Sequence, residues 1–140
     1  MEIELVTGLT DYLRYDELRT AFAQFEFSGD LYSGHGKIKK QSSGRCKFAA
    51  VQITIQNTKP NYANIFNWEV TEAQIPMYFF DRILTTIKSI ISEHPDRGHF
   101  KIAVVNGESH AVDSDCLSYE IATLKAMANL IGFDLENYCI

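Results

Sequence analysis

The chain has 140 residues, 46% hydrophobic and 22% charged with only 3 Pro, which supports one domain around a single core and excludes a disordered or multidomain chain. Asp81, Arg82 and Lys88 interrupt the most apolar stretch, so no segment reaches the roughly 18 to 20 apolar residues of a membrane span. The net charge of −5 opposes a general nucleic-acid coat, yet Lys37, Lys39, Lys40, Arg45 and Lys47 crowd into eleven positions that hold no acid.

Residues 2 to 6 alternate glutamate with apolar side chains, a short strand ended by Gly8. Thr10 is an acceptable N-cap, and Leu13, Leu18, Phe22 and Phe25 with Tyr12 and Tyr15 mark the apolar face of a helix. Phe25 and Phe27 flank Glu26 ahead of two turn-rich clusters, Ser28-Gly29-Asp30 and Ser33-Gly34-His35-Gly36, a spacing that suits short paired strands. A hairpin is predicted from Gly36 to Gln56, with Lys37 to Lys40 going out, Ser42-Ser43-Gly44-Arg45 at the tip and Phe48 to Ile55 returning. In the return arm Val51, Ile53 and Ile55 alternate with Gln52, Thr54 and Gln56, the period of a strand with one buried face.

A polar loop around Pro60 leads to a predicted strand from Ile65 to Val70, with Trp68 and Val70 placed loosely on the face opposite Phe66. Ile75-Pro76 opens a helix, since proline's missing N–H costs nothing in the first turn. Its wide stripe of Phe79, Phe80, Ile83, Leu84, Ile87, Ile90 and Ile91 ends at His94-Pro95. Phe100 to Val105 reads as a strand, Asn106-Gly107 as a turn. A further helix, capped near Asp113 or Ser114, carries Leu117, Ile121, Leu124, Ala128 and Ile131 up to Gly132. Strands that precede and separate two apolar-faced helices specify an α+β fold, a sheet with both helices on one face and an extra N-terminal helix.

No GxxxxGK[ST] occurs, and Gly34-His35-Gly36-Lys37 lacks its spacing, so no bound nucleotide is expected. Ser109, His110 and Asp113 could imitate a general-base set, but neighbours in one loop rarely reach that geometry, and Asp113 reads better as a helix cap. A protein without enzymatic activity is expected. Cys46, Cys116 and Cys139 are odd in number and form no CxxC pair, which favours reduced thiols and no metal site. The acidic start Met1-Glu2-Ile3-Glu4 lacks the basic flank of an export signal, so a soluble cytoplasmic protein with no membrane partner is expected.

Three ordered segments resemble domain IV of the translational GTPase elongation factor G. Gly36 to Val51, GKIKKQSSGRCKFAAV, resembles its first tip hairpin, commonly GKxxKQTGGRGQYGHV. Ile75-Pro76 and the helix after it resemble VIPKEYIPAV, and Asn106 to Ser114, NGESHAVDS, resembles the second tip loop, commonly DGSYHEVDSSEMAF. The resemblance runs from about Phe25 to Ile131, which leaves 1–24 as an N-terminal extension and 132–140 as a C-terminal tail of the same domain. It implies a four-stranded sheet with two helices on one face and a left-handed β-α-β crossover, against the usual right-handed connection.

The resemblance also implies a lever-tip module that meets messenger and transfer RNA in the decoding region of the small ribosomal subunit. On this sequence Gln41, Gly44 and Arg45 match the first tip, and His110 and Asp113 the second. The expected RNA-binding residues are Lys37, Lys39, Lys40, Gln41, Ser42, Ser43, Gly44, Arg45, Lys47 and His110. The cations would neutralise phosphates, the glycine-containing turn would let backbone approach RNA, and His110 would stack on a base or bond a 2′-OH. Ser43 and Cys46 stand where the family has glycines, and Phe48-Ala49 where it has Tyr-Gly. The expected function is therefore a non-enzymatic RNA- or ribosome-binding module related to translation, with ribosomal RNA as partner and no cofactor. The alternative is a protein-interaction or dimerisation domain that has lost the RNA role.

Overall fold

The computed structural model describes residues 15–27, 31–42, 45–57, 65–91 and 100–135. Strand β1 (Leu31–Ser42) pairs antiparallel with β2 (Arg45–Asn57), from Leu31 opposite Gln56 to Ser42 opposite Arg45. A third strand, β3 (Ile65–Trp68), runs parallel to β4 (Phe100–Glu108), which in turn pairs antiparallel with β2 across a bulge at Gln52/Ile53. The order across the sheet is β1-β2-β4-β3. Helix α1 is Tyr15–Gln24, α2 is Phe80–Ile91, entered through the 3-10 turn Met77–Phe79, and α3 is Cys116–Ile131. The fold is α+β, with β3, α2 and β4 forming a parallel β-α-β unit.

The strand period of two decides which face is covered. Gly34, Gly36 and Ile38 of β1, Val51, Ile53 and Ile55 of β2, and Ile102 and Val104 of β4 are buried, while Ser33, His35, Lys37 and Lys39 point the other way and are exposed. Helix α3 lies across β1 and β2, α2 packs beside α3, and α1 packs on α2. Leu18 and Phe22 bury α1's apolar face, and Arg19 donates from Nε and Nη2 to the Ser89 carbonyl and hydroxyl of α2, each at 2.9 Å. Among the described residues no helix is long and apolar enough to cross a membrane.

Several expectations change on contact with the fold. The cluster Ser33-Gly34-His35-Gly36 is not a turn but the first half of β1. Its glycines are there for clearance: a Cβ on Gly34 would fall on the Ala126 carbonyl oxygen, and one on Gly36 on that of Ala122, both in α3. Asn106-Gly107 likewise stays within β4, where a side chain on Gly107 would strike Ile75. Phe25 and Phe27 belong to no strand; their rings join Tyr32 and Phe100 in an aromatic cluster with centroids 4.7 to 5.7 Å apart. Phe66 and Trp68 share a face, both rings resting on Phe80. The predicted strand at 2–6, the Thr10 cap, the Ser28-Gly29-Asp30 turn, the Pro60 loop, the His94-Pro95 stop and Cys139 lie outside the described residues.

Side chains of α3 cap two backbone groups on the edge of β1 that pairing could otherwise use. The His35 amide donates to Asn129 Oδ1 at 3.1 Å and Lys125 Nζ to the Lys37 carbonyl at 3.5 Å, both from α3. This close seating gives a direct test. Gly36→Ala meets helix backbone that cannot step aside, so its cost should reach or exceed the top of the ordinary overpacking range, about 3 kcal/mol, in urea unfolding. Gly132→Ala, where the αL cap has φ 77° and open space around it, should cost only about 1 kcal/mol.

Candidate nucleic-acid interface

Alternation along the hairpin divides its lysines between two faces. Lys37 and Lys39 follow His35 onto the uncovered face, whereas Lys40 and Lys47, opposite one another in register, continue the helix-covered face beyond the core. There Lys47 Nζ reaches Asp115 Oδ2 at 3.4 Å. Phe48, opposite Lys39, is out of phase with the buried stripe and turns its ring to the uncovered face, where Lys37 Nζ stands 5.4 Å from the ring centroid.

The segment after β4 is fastened to this strand pair. The Phe48 amide donates to the Asp113 carbonyl at 3.1 Å, and Ser114 Oγ donates to the Phe48 carbonyl at 2.8 Å. The turn closes on itself as well, since the Ser114 amide donates to the His110 carbonyl at 3.1 Å and the His110 amide to Ser114 Oγ at 2.8 Å. Beneath it the buried Tyr119 hydroxyl donates to the Glu108 carbonyl at 2.8 Å, and burial pushes this phenol's pKa up. Hairpin and loop are thus held as one unit by long-range hydrogen bonds.

Together they enclose a pocket of about 260 Å³ lined by Lys39, Lys40, Cys46, Lys47, Phe48, His110 and Asp113. His110 Nδ1 accepts from the Val112 and Asp113 amides at 3.4 and 3.3 Å, which assigns the ring proton to Nε2. The same nitrogen is 3.4 Å from Asp113 Oδ2, an ion pair only when the imidazole is protonated. The Ser114 hydroxyl and His110 are therefore engaged in closing the turn.

Asp115, not Asp113 or Ser114, is the N-cap of α3, accepting from the Ser118 amide at 2.7 Å. Burial opposes its charge, but the hydrogen bonds from Ser118 and the Lys47 ammonium outweigh that and hold the carboxyl below its usual range. Its stabilisation is accordingly present above the ordinary aspartate pKa and is lost as pH falls through the lowered value. Asp113 serves the loop instead, through its carbonyl to Phe48.

Of the ten residues expected to meet RNA, Lys39, Lys40, Lys47 and His110 line the pocket, and Lys37 adjoins it above Phe48. Gln41, Ser42 and Arg45 enter only through the register of the strands, and Ser43 and Gly44 lie outside the described residues. Sequence reasoning missed Phe48 and Asp115 as site residues. Phe48 carried a readable signal, an aromatic at the polar phase of a period-two strand.

A model of the family described as Elongation factor G, domain IV matches residues 26–131. Elongation factor G of Dinoroseobacter shibae is 34% identical over 93 residues, which is 64% of this chain and 13% of that protein. Elongation factor G of Ruegeria pomeroyi is 33% identical over the same shares. A crystal structure from Thermus thermophilus is similar with a TM-score of 0.63 at 27% identity, covering 74% of this chain and 16% of that chain. The chain thus spans about an eighth of the length of the curated relatives it matches.

Proposed function

The chain belongs to the elongation factor G domain IV family, and from that premise we propose that it is a non-enzymatic, cytoplasmic module that binds structured RNA of the ribosome through the pocketed end of the sheet. The observation that carries this reading is the convergence of Lys39, Lys40 and Lys47 with His110 around one pocket, from segments more than sixty positions apart in the chain. Lysines on both faces of a thin hairpin suit a prong inserted among phosphates, which attract it from either side. Recognition beyond charge would come from His110, whose Nε2 donor suits a base edge or a 2′-OH. The matched segment corresponds to domain IV alone, so the nucleotide-driven work of a whole elongation factor is not proposed for it.

Co-sedimentation of the purified chain with small ribosomal subunits at 50 and 200 mM salt tests the reading. Pelleting at the lower salt that is largely released at the higher is the expected result. No pelleting at either salt overturns it, and a discrete homo-oligomer or protein complex in its place would favour the protein-interaction alternative.

A further inference from the structure

We infer that the pocket between the hairpin and the loop receives one unstacked RNA base, with Phe48 as its stacking surface; this rests on the RNA-binding reading and names what that site takes. Phe48 supplies the benzene ring among the pocket's lining residues, with the imidazole of His110 in the same lining. The Phe48 backbone is gripped on both sides by the loop, through the Asp113 carbonyl and the Ser114 hydroxyl, so the strand that carries the ring and the loop that carries the imidazole are tied together before any ligand arrives. The ring is only partly buried, and the pocket beside it is otherwise lined mostly by charged side chains, so a flat partner could lie against it.

The surroundings suit a nucleobase more than an apolar side chain. Lys37 Nζ stands over the ring at 5.4 Å, outside the pocket's lining, a cation held by the ring's quadrupole and near enough to meet a flanking phosphate. Lys39 and Lys40 stand at the rim for the flanking phosphates. His110, with its side chain 56% exposed and Nδ1 bound to loop amides, presents Nε2 as a donor toward a base carbonyl or ribose hydroxyl. The volume, about 260 Å³, is just under the roughly 300 Å³ at which sites for drug-sized ligands begin, which fits one ring system and not a whole nucleotide.

The test uses the full chain and an RNA stem-loop with 2-aminopurine in the loop and a fluorescent dye at one end. Dye anisotropy reports binding, and 2-aminopurine quenching reports stacking. Wild type should bind with quenching, and Phe48→Tyr should keep both. Phe48→Leu should bind roughly five- to a hundredfold more weakly, the range of one lost base stack, and should not quench. Binding without quenching in the wild type, or Phe48→Leu retaining both signals, overturns the stacking inference and leaves RNA binding standing. No anisotropy change at low salt overturns the RNA-binding reading itself. The wild-type quench needs no variant, so a Phe48→Leu protein that fails to fold does not shield the inference.

Discussion

Glutamate at both Lys39 and Lys40 is expected to weaken binding to small ribosomal subunits at least tenfold at 50 mM salt and to halve its salt dependence. The reasoning is one of counterion release, in which each neutralised phosphate contributes about 0.7 to 0.9 to the slope of log affinity against log salt. Lys37, Lys39, Lys40 and Lys47 together would give a slope near −3, or roughly a 60-fold loss between 50 and 200 mM. These four are not equal. Lys47 is already engaged by Asp115, and Lys37 by the Phe48 ring, while Lys39 and Lys40 are exposed on opposite faces of the same strand. Removing the latter two should leave a slope near −1.5, and the introduced carboxylates repel phosphate besides. Lys101→Glu is the control, because Lys101 lies opposite Gln56 at the end of the sheet remote from the pocket. An equal loss from Lys101→Glu, or an unchanged slope in the double variant, would show that overall charge rather than the hairpin governs the interaction.

What the sequence made legible was local and periodic. Val51, Ile53 and Ile55 announce a one-sided strand because burial imposes a period of two, and the structure places all three out of solvent. The same period, applied to the lysines, would have divided Lys39 from Lys40 and marked Phe48 as facing away from the core. The misreadings share a cause. A glycine that turns the chain and one that makes room for a neighbour are identical in sequence; Gly34, Gly36 and Gly107 all make room, for α3 or for Ile75. Only the tertiary partner distinguishes them. The docking of the loop onto Phe48 spans 66 positions between Ser114 and its acceptor, and no local rule reaches that far. The cap of α3 was displaced for a similar reason: Asp113 and Asp115 are equally good caps, and the selection falls to the one whose carboxylate also meets Lys47. Glu120 was invisible altogether. It sits between the apolar positions Leu117, Ile121 and Leu124 and reads as solvent-facing, yet α3 is covered by the sheet on one side and α2 on another, which leaves no wet face at that turn.

The pair of Glu120 and Arg82 is a second place, besides Gly36, where a single change should cost much stability without touching the pocket. The Glu120 side chain is wholly buried, Oε1 accepts from Arg82 Nη1 at 2.7 Å, and Oε2 makes no hydrogen bond among the described residues. Burial pushes the carboxyl's pKa up, and the Arg82 guanidinium offsets only part of that. A raised folded-state pKa means that the folded protein keeps a proton the unfolded chain releases. The group's contribution is therefore fully present below the ordinary value of 4.5 and is lost as pH rises through the raised one. Arg82→Met retains the apolar stem that packs between the helices and removes the charge. At pH 7.5 this strands a buried carboxylate, at about 3 kcal/mol, the lower end of the range for broken buried pairs because the Arg82 side chain is 24% exposed. Against a total of roughly 5 to 15 kcal/mol that is a large fraction. Near pH 5 the stranded group takes up a proton, and the deficit should shrink to about 1 kcal/mol or less. Asp115 drives stability the other way as pH falls, but it is common to both proteins and cancels in their difference. Urea midpoints of wild type and variant at pH 5 and 7.5 measure the effect. The same pair in a Glu120→Gln background closes a double-mutant cycle, in which Arg82→Met should become nearly pH-independent. A deficit of equal size at both pH values in the Glu120 background would mean that Arg82 holds α2 to α3 by packing alone and that the carboxylate's charge is not what it balances.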